Sequence, residues 1–206
     1  MIYLSDDYVE KYINALSYLI GRSHHEGYSF DYIEKSIAYS IPINELEKSN
    51  ITIFAFSSIE KIYNYIFPTN NNDYVFSMYD IFGWVGYTYM HLFLDLEITF
   101  EALFYIIPIQ DMLNLYNLYH EMSFSQMIDY TKEKMKYSIL DIVMKRKNIS
   151  NRELSNNTNV SISTINALRY GKRDISKLEA NKLLLISRYL NVKMETLLPN
   201  IHLNKK

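Results

Sequence analysis

Residues 150–171 read SNRELSNNTNVSISTINALRYG, two short apolar patterns separated by a polar run. Ser150 followed three residues later by Glu153 is a capping box, in which the hydroxyl accepts from the Glu153 amide and the carboxylate reaches back. The helix it opens is short, because Asn156, Asn157, Thr158 and Asn159 follow. Asn159 belongs to the few non-glycine residue types that tolerate a positive φ. Ser161 is the natural N-cap of a second helix, with Ile165 and Leu168 facing inward at i, i+3 and Gly171 as the residue that ends it.

The same reading extends outward in both directions. Upstream, Ser138–Lys147 sets Ile139, Ile142 and Val143 on one helical face and finishes on basic residues, which suit a helix C-terminus. Downstream, Ser176 and Glu179 form a second capping box that opens a helix through Leu190, with Leu183, Ile186 and Leu190 as its stripe. Asn191 and Val192 turn into a last helix, Met194–Leu198, which Pro199 closes. Two short helices joined by a three- or four-residue turn, the second beginning with small hydroxyl residues, make a helix-turn-helix. With their neighbours in register over five helices, residues 138–198 resemble the Cro/C1-type family of phage and bacterial regulators (Xre-like, lambda-repressor-like). The resemblance covers about a third of the chain.

That resemblance implies a DNA-binding domain over residues 138–200, with Ser161–Tyr170 as recognition helix. B-DNA's major groove admits one α-helix, and small side chains at the helix start let its backbone approach the base edges. The family's base-reading positions fall on Ile162, Ser163, Asn166 and Ala167, with Asn166 suited to adenine and Ile162 to a thymine methyl. Ser161 and Thr164 complete the helix's N-terminal contact set, where free amides favour phosphate. Asn151 maps to a phosphate clamp, and Arg169, Lys172 and Arg173 to backbone contacts. Ile162 and Ala167 are apolar where other members carry Gln, so hydrogen-bond readout rests on few residues. The family's usual mode is a homodimer on an operator that is an inverted repeat, with recognition helices about 34 Å apart.

Charge agrees with this division. The chain has 21 Lys and Arg against 23 Asp and Glu, but residues 1–130 hold 5 basic and 17 acidic side chains, a balance of −12, and residues 131–206 hold 16 and 6, a balance of +10. A basic segment of this kind suits nucleic acid, whereas a −12 unit is repelled by it. Of the 31 aromatic residues, 28 precede Thr131, among them 17 of the 20 tyrosines.

Residues 1–130 also read as helical. Asp6–Ile20 is amphipathic with Gly21 after its end; Phe30–Tyr39 continues as helix and Pro42 interrupts. Ile51–Phe56 is β-branched enough for a short strand, Ser58–Phe67 returns to helical spacing up to Pro68, and Thr69–Asp73 is a loop. Tyr79–Asp95, Phe100–Ile107, Ile109–Met122 and Ser125–Lys136 complete the set, with Thr99 and Ser123 as N-caps and Pro108 in a first turn. Trp84, Tyr87 and Tyr89 lie in a helix that is apolar nearly all round, which belongs in a core or under a partner; they are the candidate partner-binding residues, since Tyr and Trp are enriched at interfaces.

Little here points to catalysis. There is no Gly-rich phosphate loop and no cysteine, so thiolate chemistry and disulfides are excluded. His24, His25 and Glu26 form the densest metal-capable group, but adjacent histidines on a helix diverge by about 100°, and His91 with Asp95 lacks a third ligand. No metal or cofactor is expected. The longest uncharged run, Ile81–Leu94, falls short of the ~20 residues that span a bilayer. Asp6 and Asp7 do not fit a signal peptide. The expectation is an all-α cytoplasmic protein: a helical interaction or sensing domain at 1–130, a linker or helix continuation at 131–137, and the DNA-binding domain at 138–200. Its expected role is that of a transcriptional regulator, a repressor in the first instance. The alternative is an antitoxin or phage anti-defence inhibitor whose acidic, Tyr-rich half binds a target protein while the other half regulates its own gene.

Overall fold

Hydroxyl and carboxylate caps start most of the helices, each accepting from an amide two or three residues on, which satisfies a donor that the helix leaves free. Ser29, Ser40, Ser58, Asp80 and Thr99 do this in the first half, and Ser138, Ser150 and Ser161 in the second. The computed structural model describes residues 6–48, 50, 52, 57–67, 74, 75, 77 and 80–198. Among these there is no strand. The elements are α1 (Asp6–His25), α2 (Phe30–Ala38), α3 (Ile41–Glu47), α4 (Ile59–Ile66), α5 (Ile81–Leu96), α6 (Phe100–Ile106), α7 (Ile109–Tyr119) and α8 (Phe124–Lys134). After them come α9 (Ile139–Arg146), α10 (Asn151–Thr158), α11 (Ile162–Arg169), a 3₁₀ turn (Ile175–Lys177), α12 (Ala180–Leu190) and α13 (Met194–Leu197).

Several boundaries correct the sequence reading. α1 does not stop at Gly21 but runs on to His25. That glycine is a packing site, because a Cβ there would lie 2.1 Å from the Tyr74 hydroxyl. Pro42 opens α3 rather than interrupting a helix, in the first turn where its missing N–H costs nothing. The Ser176–Glu179 capping box does not form. Asp174 accepts from the Ser176 amide instead and starts the 3₁₀ turn, so α12 begins at Ala180. The strand at 51–56, the loop at 69–73 and the stops at Pro68 and Pro199 fall outside the described residues, apart from Thr52.

α1 and α5 form the centre of the first half. A Cβ on Gly86 would lie 2.1 Å from Ser17 Oγ and 2.6 Å from Ser17 N, so the two backbones touch at that point. Around the contact Leu16, Leu19 and Ile20 meet a fully buried row on α5 that includes Val85, Tyr89 and Phe93. This is why α5 is apolar nearly all round: α1, α6, α7 and α8 cover it.

The two halves share one interface. α9 and α13 pack on α6, and Leu140, Val143 and Met144 join the same core as Phe100, Leu103 and Phe104. A polar network fastens it. The Lys193 ammonium donates to Ala38 O at 2.9 Å, Asn44 Oδ1 at 2.8 Å and Glu47 Oε2 at 3.0 Å. Glu101, itself buried, accepts from Tyr39 Oη at 2.6 Å, from the Lys193 amide at 3.0 Å and from Thr196 Oγ1 at 2.5 Å. Burial pushes the Glu47 carboxyl up, and Lys193 pulls against it.

Candidate nucleic-acid interface

The geometry of α10 and α11 follows from three local choices. Ser150 caps α10, and Asn159 at φ 55° turns the chain out of it, its amide bonded to Ser155 O. Ser161 then caps α11, accepting from the Thr164 amide at 3.2 Å. Ile165 and Leu168 are fully buried beneath α11 and fix its rotation. Its other face is left outward: Ile162 is 43% exposed, Ser163 is exposed, and Asn166 and Ala167 are half-buried. Ser161, Ser163 and Thr164 also bond to one another through their hydroxyls, so the start of the helix is a small, polar, pre-ordered turn. It can approach a groove without a long side chain in the way.

Beneath this face lies a charged chain of contacts. Asp141, on α9, is 1% exposed and accepts from Arg169 Nε at 2.9 Å and Lys145 Nζ at 2.7 Å. Arg169 Nη1 donates to Asn151 Oδ1, and Asn151 Nδ2 donates to Asn166 Oδ1. The carbonyl of Arg169 accepts from Ser138 Oγ at 2.9 Å. Two expected contact residues, Asn151 and Asn166, are therefore joined side chain to side chain. Arg169 is not turned toward solvent: its guanidinium is spent on Asp141 and Asn151 and holds both helices in place.

Lys172 and Arg173 are exposed in the turn after α11, where the Arg173 amide bonds to Ala167 O. Beside them Tyr137 and Tyr170 meet edge to face at 5.6 Å, both about half exposed, with Lys145 over the Tyr137 ring at 5.5 Å and Arg169 against Tyr170. Glu153 does not reach back to Ser150; its carboxylate accepts from Tyr189 Oη at 2.7 Å and ties α10 to α12.

The first half places its singled-out residues differently. Tyr89 is fully buried and donates to Ile107 O at 2.6 Å, so it is a core residue and not a contact surface. Trp84 is half-buried with its edge on Tyr116, and Tyr87 is 41% exposed beside His91 and Phe124. His24 stacks on Phe30, His25 leans on Tyr74, and Glu26 accepts from Arg22 and Tyr63, so the three side chains diverge. Burial lowers the pKa of His91, partly offset by Asp95.

Sequence reasoning missed Asp141, Lys193 and Glu101. Asp141 carried a faint signal, a carboxylate set between Leu140 and Ile142 on a helix that is otherwise apolar inward. Lys193 and Glu101 had none, because their pairing joins positions far apart in the chain.

Compared with known families, residues 140–199 match the Cro/C1-type HTH DNA-binding domain, a segment that begins in α9 and includes α10 to α13. No curated protein and no solved structure matches the chain.

Proposed function

We propose that this chain, whose residues 140–199 are a Cro/C1-type HTH DNA-binding domain, is a sequence-specific transcriptional regulator that represses from an inverted-repeat operator as a homodimer. The observation that carries the reading is the outward face of α11. Ile162, Ser163, Asn166 and Ala167 stand clear of the core while Ile165 and Leu168 are fully buried. With Oδ1 of Asn166 accepting from Asn151, the amide nitrogen is left to donate to a base edge such as a purine N7. Ile162 supplies an apolar contact for a thymine methyl, and Lys172 and Arg173 flank the face as phosphate contacts. Arg169 acts as a positioning residue. Residues 1–130, with their −12 balance, are repelled by DNA and supply dimerisation or sensing of a partner or effector.

Selection of duplexes from a random pool by the full chain tests this. One enriched motif with twofold symmetry is expected. Asn166→Ala changes the preferred base at one position of each half-site, whereas Lys172→Ala weakens all sequences alike. No enrichment, or the reverse pattern, refutes the docking.

A further inference from the structure

The positive charge of the second half begins ahead of the HTH segment. Residues 132–137 read KEKMKY, three lysines against Glu133, and they precede the matched residues 140–199. They close α8 and lead into α9, and the fold holds this junction against the end of α11. Ser138 Oγ donates to Arg169 O at 2.9 Å, and the Tyr137 and Tyr170 rings meet edge to face at 5.6 Å. A Cβ on Gly171 would lie 3.6 Å from Tyr137 O. The junction therefore borders the turn that carries Lys172 and Arg173.

A groove runs along it, lined by four cations, Lys134, Lys136, Lys145 and Arg146, and by two carboxylates, Glu133 and Asp141. Asp141 is buried and holds Lys145 at 2.7 Å and Arg169 at 2.5 Å. Arg146 is held by Asp111 at 2.9 Å. With Arg169 and Asp111 counted in, the groove keeps an excess of two positive charges. Glu133 is its one exposed carboxylate.

Lys134 and Lys136 are both exposed, and neither has an ion-pair partner among the described residues. Lys134 Nζ stands 5.2 Å from the centroid of the Tyr130 ring, and Lys136 Nζ 5.9 Å from that of Tyr137. Lys145 Nζ reaches the same Tyr137 ring at 5.5 Å, so one ring collects two ammonium groups. Clustered ammonium groups suit a row of phosphates, which attracts by charge and carries no sequence.

We infer that the α8–α9 junction is a second contact with DNA, in which Lys134 and Lys136 take phosphates of the same duplex beside those met by Lys172 and Arg173. Tyr137, packed on Tyr170, is the fixed ring that holds Lys136 and Lys145 at this edge. The inference rests on the DNA-binding reading and extends it beyond the HTH segment, into the last helix of the first half. The contact is to the backbone, so it adds affinity at every sequence and selects none.

The test compares the full chain with Lys134→Gln, Lys136→Gln on the selected duplex across a range of salt concentrations. Each neutralised phosphate contributes about 0.9 to the slope of log affinity against log salt, so the variant's slope is expected to be shallower by about two. Its enriched motif is expected to be unchanged. Lys134→Arg, Lys136→Arg keeps the charges and is expected to keep the slope. Lys48→Gln, Lys61→Gln removes two exposed cations elsewhere on the first half and is expected to leave the slope as it was. A slope kept by the first variant, while Lys172→Ala, Arg173→Ala flattens it, would overturn this inference alone. An equal loss in the Lys48, Lys61 variant would overturn it too, by tracing the effect to net charge. So would a changed oligomeric state of the DNA-free Gln variant, which would assign the two lysines to the acidic surface of a second copy. No binding by the unaltered chain would overturn the DNA-binding reading and this inference with it.

Discussion

Arg169 and Asp141 meet beneath α11, Nε to Oδ1 at 2.9 Å and Nη2 to Oδ1 at 2.5 Å, with side chains only 12% and 2% exposed. The pair is the hinge pin between α9 and the face read as DNA-contacting, for the same guanidinium also holds Asn151, and Asn151 holds Asn166. Removing one member of such a pair leaves a buried charge without its counter-ion, which costs about 3 kcal/mol or more. Asp141→Ala is therefore expected to lose about that much in denaturant unfolding. Asp141→Asn, which keeps the shape and one acceptor, is expected to lose less. At temperatures where both remain folded, both should bind DNA more weakly, because Asn151 and Asn166 lose their fixed relation.

Lys193 predicts a coupling between the halves. Lys193→Met strips Glu47 of its only ion pair among the described residues while leaving it buried, with an expected loss of about 3 kcal/mol. Adding Glu47→Gln should recover a good part of that loss. A double-mutant cycle by chemical denaturation reads the interaction, and additive losses would show that the two do not act as a pair.

Gly86→Ala tests the contact between α1 and α5. A methyl group cannot occupy a point 2.6 Å from the Ser17 backbone nitrogen, so α1 and α5 must separate. The expected loss is about 2 to 3 kcal/mol, typical of overpacking, measured as a fall in Tm.

Glu34 gives the protein a stability that depends on pH. Burial pushes its carboxyl up from 4.5 to about 7; Asp31 and Asp111 add to the rise, while the Ile109 amide and Arg146 oppose it. Below pH 4.5 the group is neutral in both folded and unfolded chains. Between pH 4.5 and about 7 the folded chain holds the extra proton, so stability falls as pH rises through that window. Glu34→Gln keeps an acceptor for the Ile109 amide and removes the charge. It is expected to be more stable than wild type above pH 7, by about 1 kcal/mol, with the gap closing as pH falls toward 4.5. Thermal melts of both proteins across that range check the sign.

Where local rules decide the structure, the sequence could be read. Ser150, Asn159, Ser161 and Gly171 set the ends of α10 and α11 through their own backbone preferences, and the inward positions of Ile165 and Leu168 follow from spacing. Where a distant partner decides, the reading failed. The Ser176 box lost to Asp174 two residues earlier, Gly21 lies inside α1 where Tyr74 occupies the space a Cβ would take rather than ending the helix, and Tyr89 went to the core because four helices surround α5. Arg169 looked like a surface cation for the same reason: nothing near it in the chain announces Asp141, twenty-eight residues away.

The proposed function requires the α11 face, with Lys172 and Arg173, to meet the phosphate backbone and grooves of DNA. The most direct measurement is the affinity of the full chain for its selected duplex across a range of salt concentrations. Each neutralised phosphate contributes a slope of about −0.9 in log affinity against log salt. A steep dependence is predicted, together with a slope shallower by about two in Lys172→Ala, Arg173→Ala. A flat response, or a slope that the double variant leaves unchanged, would contradict it.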